Sequence, residues 1–99
     1  MTKPILIRRE LLIEKHDKSY IVTNFKSING CRFPLYTKYW LDEEGCFHRD
    51  NDKPALITEM GSYHWYYHGI RHRENNKPAS IYFNGEKEYY KNGIFIKQN

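Results

Sequence analysis

The side chains best suited to catalysis or metal binding in this 99-residue chain are five histidines and two cysteines. His64, His68 and His72 are spaced by four residues, and on a helix that spacing would turn three imidazoles toward one metal ion. Across a β-hairpin the same spacing puts His64 and His72 on opposite faces and His68 in the turn. The strand pattern described below favours the hairpin, so we predict neither a metal site nor a cofactor.

A second cluster, His48-Arg49-Asp50, has the letters of a protein-kinase catalytic loop. A kinase also needs a glycine-rich loop, a strand lysine and Asp-Phe-Gly, and the sequence contains none of this set. Cys31 and Cys46 lack the spacing of a zinc site or a disulfide framework, which favours reduced thiols in the cytoplasm. We predict that the protein is not an enzyme. Nucleophilic catalysis by a cysteine with a histidine stays open, because the sequence selects no pair.

The His-Arg-Asp letters belong to an internal repeat. A thirteen-residue box over residues 45–57 returns 24 residues later over residues 69–81, with Gly, His, Arg, Asn, Lys, Pro, Ala and Ile unchanged. A fixed period of this length is typical of one supersecondary unit stacked on copies of itself. The residues predicted to build the unit are Gly45, His48, Pro54, Gly69, His72, Pro78 and Gly93.

X-Gly pairs separate runs of β-forming residues. His68-Gly69, Asn84-Gly85 and Asn92-Gly93 predict two-residue type I′ turns, in which both central residues take positive φ. The turn at Gly69 predicts a hairpin of four residue pairs, from Tyr67 opposite Ile70 to His64 opposite Arg73. The predicted strands are residues 20–25, 36–41, 55–59, 62–67, 70–73, 79–83, 86–91 and 94–97.

These elements predict one all-β domain, a mainly antiparallel meander of tandem hairpins in a twisted sheet. Its parts are an N-terminal cap (1–26), a degenerate repeat (27–44), two repeats (45–68 and 69–92) and a truncated repeat (93–99). In the cap, residues 10–15 can form a strand that pairs with residues 20–25, and a short helix over residues 4–15 is the alternative.

An aromatic run precedes the turn glycine twice, as Trp-Tyr-Tyr-His-Gly-Ile-Arg-His at residues 65–72 and Tyr-Tyr-Lys-Asn-Gly at residues 89–93. With these motifs, roughly the C-terminal 60 residues resemble the MORN repeat (membrane occupation and recognition nexus). The chain resembles a variant, because Arg and then Asn-x-Lys-Pro-Ala replace the family's usual Gly-x-Gly after the histidine. The resemblance implies an elongated, twisted antiparallel sheet that is generally used for protein contacts and sometimes proposed for lipid contacts.

The net charge of +4 is interleaved along the chain, with nine basic and seven acidic residues up to position 50 and seven and five after it. Without a basic block, nucleic-acid binding is the alternative and not the first hypothesis. No apolar run approaches the length of a membrane span. Heavy use of Lys, Asn, Ile and Tyr is typical of AT-rich coding genomes, as in many phages.

Aromatic side chains alternate onto both faces of the predicted sheet, which is too small to bury both. We expect Arg49 with Asp50 and Arg73 with Glu74 to clamp the box loop, and His72 to pack on Trp65. Exposed Tyr, Trp and Arg are enriched in binding hot spots. The candidate binding residues are Arg49, Trp65, Tyr67, Arg71, Arg73, Tyr82 and Tyr89.

The hypothesis that follows is a protein-binding repeat module without enzymatic activity. Its small size suits a phage or bacterial accessory protein that docks on a larger complex and modulates or inhibits it. The alternative is a nucleic-acid-binding module that uses a basic, aromatic sheet face. A homo-oligomer formed by sheet extension past the truncated third repeat is a further expectation.

Overall fold

A computed structural model describes residues 3–8 by their backbone and residues 11–99 in full. Over these ranges the chain contains eleven β-strands and no helix. The strands are β1 (Lys3–Arg8), β2 (Leu11–His16), β3 (Ser19–Ile28), β4 (Cys31–Trp40), β5 (Leu56–Ile57), β6 (Tyr63–His64), β7 (Tyr66–Tyr67), β8 (Ile70–Arg71), β9 (Ser80–Ile81), β10 (Lys87–Lys91) and β11 (Ile94–Gln98).

Nine strands form one antiparallel sheet in the order β1-β2-β3-β4-β5-β6-β9-β10-β11, and β7 and β8 form a separate two-stranded sheet. The all-β, antiparallel hairpin architecture is therefore confirmed. A helix over residues 4–15 is wrong for the described part of that range, because β1 and β2 are strands there and β2 pairs with β3. The predicted boundary between cap and degenerate repeat falls within β3.

Turn chemistry explains where the strands reverse. His68 and Gly69 have φ of 47° and 84°, and Asn92 and Gly93 have φ of 51° and 81°, as type I′ turns require. The turn before β10 differs from its prediction, because only Gly85 takes positive φ and the Asn84 side chain instead accepts a hydrogen bond from the Glu86 amide at 3.0 Å. An Asx side-chain turn has replaced the second left-handed residue there.

The chain changes sheets at Trp65. Tyr67 pairs with Ile70 and Tyr66 with Arg71, as predicted. The predicted His64–Arg73 pair is wrong: His64 lies in the large sheet, opposite Leu56 on one side and Ser80 on the other. Beyond Trp65 the strand leaves its neighbours for the small hairpin. The His72 N–H still donates to the Trp65 carbonyl at 3.2 Å, so His64–Arg73 is the one expected pair that is lost.

One face of the large sheet carries alternating large and small side chains. Extending the strand registers by one residue sets Ala55 between Trp40 and Trp65, and Ala79 between Trp65 and Tyr89. Both alanines are fully buried, and Trp65 is the other buried hydrophobic residue of the described chain. The core is thus a Trp-Ala-Trp-Ala-Tyr row, in which each small residue makes room for its aromatic neighbours.

Aromatic rings also line up on the opposite face. Tyr20 stacks on Tyr39 at 5.1 Å between ring centroids, Tyr39 meets Phe47 edge-on at 5.8 Å, and Phe47 lies 5.1 Å from Tyr66. These distances lie in the range of favourable aromatic pairs. The row joins the β3–β4 hairpin to the small β7–β8 hairpin, so the repeat units and the N-terminal strands share one packed surface.

Candidate functional site

Each box places an arginine over the indole of an earlier strand. The guanidinium carbon of Arg49 lies 3.6 Å from the ring centroid of Trp40, and that of Arg73 lies 3.8 Å from the ring centroid of Trp65. A cation over a Trp face is attracted by the ring quadrupole. Both arginines also donate to a proline carbonyl of their own box, Arg49 to Pro54 at 3.2 Å and Arg73 to Pro78 at 3.1 Å.

Both arginines thus clamp their box loops, but the acidic residue beside each of them, Asp50 or Glu74, bonds a histidine and not the arginine. Arg73 instead donates to Asp52 of the preceding box, at 2.8 and 3.3 Å, and Lys77 joins it at 3.0 Å. Hydrogen bonding by Arg73, with the Lys77 ammonium nearby, lowers the pKa of Asp52 to about 2. The carboxylate therefore ties one box to the next.

The two box histidines hold the turn of the following unit. His48 Nδ1 accepts a hydrogen bond from the backbone N–H of His68 at 3.0 Å, and His72 Nδ1 accepts one from Asn92 at 2.9 Å. With Nδ1 as acceptor, Nε2 carries the proton and donates to a carboxylate of the same box. That carboxylate is Asp50 for His48 and Glu74 for His72.

The third unit departs from this pattern. Lys97 takes the arginine position and lies 4.7 Å from the ring centroid of Tyr89. Ile96 takes the histidine position and offers no ring nitrogen as acceptor. The cation–aromatic contact is therefore kept while the acceptor that holds a following turn is lost. His72 works through this hydrogen bond, and it is Arg73 that covers the Trp65 ring.

A cleft of about 580 Å³ opens beside the first box. The His48 and His68 rings stack there at 3.8 Å, and His68 Nδ1 donates to Asp42 at 2.8 Å. The hydrogen bond from His68, with further bonds from the Cys46 and Glu44 amides, lowers the pKa of Asp42 to about 2. Lys18 and Arg49 also line the cleft. Since the Asp42 side chain is only 8% exposed and its partners are internal, its visible role is to hold the turn.

Metal ligands do not converge in the described part of the chain. No group of three or more His, Cys, Asp or Glu side chains there has the arrangement to hold an ion. Of the equally spaced histidines, His64 lies within the large sheet, His68 stacks on His48, and His72 bonds the Asn92 amide. Cys31 and Cys46 are free and exposed.

A serine and a histidine do meet, on the sheet face that also carries Tyr20 and Tyr39. His64 Nδ1 lies 2.8 Å from Ser80 Oγ, because the two residues are directly opposite in neighbouring strands. Burial lowers the pKa of His64, which would suit a general base. Ser80 is fully buried, however, so its hydroxyl presents no surface to a substrate. The pair satisfies two buried polar groups.

Arg71 forms a network with residues that lie near the His64–Ser80 pair. Tyr82 donates to Glu88 at 2.7 Å, and this hydrogen bond raises the pKa of Tyr82. Arg71 lies 3.8 Å from Glu88, donates to the Tyr66 hydroxyl at 3.0 Å and lies 4.9 Å from the Tyr90 ring centroid. The arginine and Tyr82 are thereby engaged within the sheet.

The candidate binding residues divide sharply by exposure. Tyr67 is exposed. The other six are buried or half-buried and have internal partners: Arg49, Trp65, Arg71, Arg73, Tyr82 and Tyr89. Within the candidate set, the surface left for a partner is therefore small.

The most exposed apolar strand was missed by sequence reasoning. In β11, Ile94, Phe95 and Ile96 are each between 50% and 69% exposed. Ile70, one repeat before Ile94, is exposed as well. The signal was present in the repeat, because Ile96 replaces the histidine of both earlier copies, and Phe95 replaces Arg71 of the second copy, although the first copy has Phe47 at that position.

Other exposed apolar side chains lie away from β11. They include Ile28 near the β3–β4 turn, Tyr36 on β4, Met60 in the β5–β6 turn and Phe83 in the β9–β10 turn. Tyr36 and Phe83 fall in predicted strands, and sequence reasoning gave none of the four a role. Strands β5, β6 and β9 are each only two residues long, shorter than the pattern predicts.

Comparisons with known proteins add no relative. No family model, no curated protein and no solved structure matches the chain. Within the described residues, no helix has the length and apolar character that crossing a membrane would require.

Proposed function

We propose that this protein is a non-enzymatic, protein-binding repeat module whose partner adds an extended segment alongside β11. The observation that carries the proposal is the apolar edge formed by Ile94, Phe95 and Ile96. In the described sheet β11 pairs with β10 on one side only. The register of β11 with β10 shifts at Ile96, which is the extra residue of a bulge, and the lysine of the strand, Lys97, lies over Tyr89. The exposed apolar side chains around this bulge favour strand addition, in which main-chain hydrogen bonds supply affinity.

The pairing of β11 with a second copy depends on register. A two-fold antiparallel pair centred on Ile96 would set Phe95 opposite Lys97, whereas one centred on Phe95 would set Ile94 opposite Ile96 and match apolar with apolar side chains. Neither register gives Lys97 an acidic partner, and this favours a foreign segment. A partner segment with β-branched or aromatic residues opposite Ile94 to Ile96 and an acidic residue opposite Lys97 would satisfy both ends of the strand.

The setting we propose is a phage or bacterial accessory protein. Small size and the AT-rich type of composition support it, and it places the chain in the cytoplasm, of the host cell if a phage encodes it. There the added strand would dock the module on a larger complex and modulate or inhibit that complex. The MORN-like pattern supports the same kind of protein contact.

A matched pair of variants tests the edge. Ile96→Lys puts a charge on β11, and Ile28→Lys makes the same change at a position of similar exposure, 58% against 55%. We expect the wild type and Ile28→Lys to retain one stoichiometric protein from bacterial lysate and Ile96→Lys to lose it. In the complex, β11 amides should gain protection from hydrogen exchange.

Two results would overturn the proposal. Equal capture by Ile96→Lys would place the contact elsewhere. A dimer of the purified chain in light scattering that Ile96→Lys abolishes would show that a second copy occupies the edge, in agreement with the sheet extension expected from the sequence.

A further inference from the structure

The β3–β4 hairpin extends beyond the strands on either side of it. Its ten residue pairs run from Ser19–Trp40 to Ile28–Cys31. On one side β2 reaches only as far as Asn24, and on the other β5 pairs only with Lys38 and Tyr39. Within the described chain, residues 25–34 therefore form a two-stranded ribbon with no third strand. At about 3.4 Å per residue the four pairs and their turn project roughly 15 Å.

This hairpin has an unusual charge. Residues 19–40 contain Lys26, Arg32 and Lys38, three of the 16 basic residues, and none of the 12 acidic residues. Three of the four net positive charges of the whole chain thus lie in one hairpin. Counting charges by halves of the sequence hid this concentration, because the acidic residues that balance the first half flank the hairpin.

The cations lie on both faces of the ribbon. Lys26 is opposite Phe33, and Arg32 is opposite Ser27 in the neighbouring pair, so the two point to opposite sides. Lys38, six residues after Arg32, shares its face. The guanidinium of Arg32 lies 4.4 Å from the Phe25 ring centroid, which holds it along the ribbon. Among the described residues Lys26 and Lys38 form no ion pair.

We infer that this ribbon is a duplex-DNA-binding arm that enters the major groove tip first. An antiparallel ribbon with side chains on both faces is about 10 Å thick, and the major groove is about 12 Å wide and 8.5 Å deep. Entry by the tip directs Lys26 to phosphates on one wall and Arg32 to phosphates on the other. An acidic protein surface would instead meet one face of the ribbon, and so would contact either Lys26 or Arg32 but not both.

The tip itself is suited to the groove floor. Ile28, beside the Asn29-Gly30 turn, is 58% exposed, and apolar side chains there can contact thymine methyl groups. Tyr36, 57% exposed, lies on the Arg32 face nearer the base of the ribbon. The arm and the β11 edge are different surfaces, so this inference goes beyond protein binding and neither depends on the other.

The test is fluorescence anisotropy of a labelled 20-base-pair duplex with the full chain, titrated with NaCl. We expect the logarithm of the binding constant to fall with the logarithm of salt concentration with a slope of about −2, as the two phosphate contacts of Lys26 and Arg32 predict. Lys26→Glu should weaken binding about tenfold at 50 mM salt and make the slope shallower by about 1.

Lys53→Glu is the matched control, since Lys53 is an exposed lysine in the first box and the charge change is the same. It should weaken binding less than threefold, because Lys53 lies outside the hairpin. Equal losses in the two variants, absence of duplex binding at 50 mM salt, or tighter binding to a single strand or to polyglutamate of matched charge would each overturn the inference. Circular dichroism of both variants checks that the sheet is retained.

Discussion

Arg49 and Arg73 occupy equivalent positions in two copies of one unit and differ in their partners. Both lie over a Trp ring and donate to a proline carbonyl. Arg73 also forms a two-point contact with Asp52, whereas Asp50, the acidic neighbour of Arg49, bonds His48. The repeat thus contains an internal comparison between a stacked arginine and one that is stacked and paired.

The first prediction uses that comparison. Arg73→Lys keeps the charge but loses the planar fork, so we expect a loss of about 1–2 kcal/mol in the free energy of unfolding. Arg49→Lys should lose about half as much, because no carboxylate contact is removed. Urea denaturation of both variants measures the difference. Equal losses would show that the Asp52 contact contributes nothing beyond stacking.

The second prediction concerns pH. Burial lowers the pKa of His64 below its ordinary 6.5, so the folded chain favours the neutral ring. This contribution to stability is complete above pH 6.5 and is lost as pH falls toward the folded-state pKa. We expect the free energy of unfolding to drop less between pH 7.5 and pH 5 in His64→Gln than in the wild type. An equal drop would assign the acid sensitivity to other groups.

Local chemistry was predictable from the sequence, and partners across units were not. His68-Gly69 and Asn92-Gly93 predict their turns correctly, because the ability to adopt positive φ depends on the residues themselves. The choice of Asp52 by Arg73 depends on how far one box is displaced from the next, which no spacing within a box encodes. Ser80 likewise falls in a predicted strand, residues 79–83, but nothing in the pattern shows that His64 lies opposite it.

At the scale of the elements, histidine side chains of one repeat hold the turn of the next hairpin as hydrogen-bond acceptors. His48 accepts a hydrogen bond from the backbone N–H of His68, and one repeat later His72 accepts one from the backbone N–H of Asn92. The same two turns are joined by main-chain bonds, from Gly69 N–H to the Phe47 carbonyl and from Gly93 N–H to the Arg71 carbonyl. Each hairpin therefore rests on the one before it.

The third prediction tests these clamps one at a time. His72→Phe removes the acceptor of the Asn92 amide and should cost about 0.5–1.5 kcal/mol, the net contribution of a typical hydrogen bond, because water can reach the exposed amide. Hydrogen exchange followed by NMR should show faster exchange at Asn92 and unchanged exchange at His68. His48→Phe is the reciprocal control and should reverse that result. Loss of protection at both amides in either variant would mean that the hairpins unfold together.

Close approach between turns gives the fourth prediction. A Cβ at Gly69 would lie 3.2 Å from the Cβ of Cys46, whereas one at Gly45 would meet nothing within 4 Å, and both glycines have φ of 84°. Gly45→Ala should cost about 1 kcal/mol for the left-handed backbone alone. Gly69→Ala should cost about 1 kcal/mol more, because the neighbouring turn must also move. Thermal denaturation of the two variants measures the difference. Equal melting temperatures would show that the contact between a Cβ at Gly69 and Cys46 costs no stability.

At the scale of the whole molecule, the protein is a nine-stranded sheet with the β7–β8 hairpin beside it. Its extents are 43 × 34 × 18 Å. The junction between the β3–β4 hairpin and the repeats includes two β4–β5 residue pairs and main-chain bonds from Trp40 N–H to the Ala55 carbonyl and from His48 N–H to the Trp40 carbonyl. Ala55 lies at this junction, between Trp40 and Trp65, and Ala79 is its counterpart within the repeats, between Trp65 and Tyr89.

The fifth prediction is that enlarging these two alanines has different consequences along the chain. Both are fully buried, so replacement by Leu should cost about 1–3 kcal/mol through overpacking. Ala55→Leu separates the rings on either side of the junction, and the β3–β4 hairpin should then unfold at a lower urea concentration than β9 and β10. Ala79→Leu should weaken β9 and β10 and leave the hairpin's exchange rates unchanged. Because a sheet of stacked units has mainly nearest-neighbour coupling, each substitution should destabilise only the strands on its own side of the Trp-Ala-Trp-Ala-Tyr row. A single unfolding transition shared by all strands in both variants would show that the row couples the stability of the whole sheet.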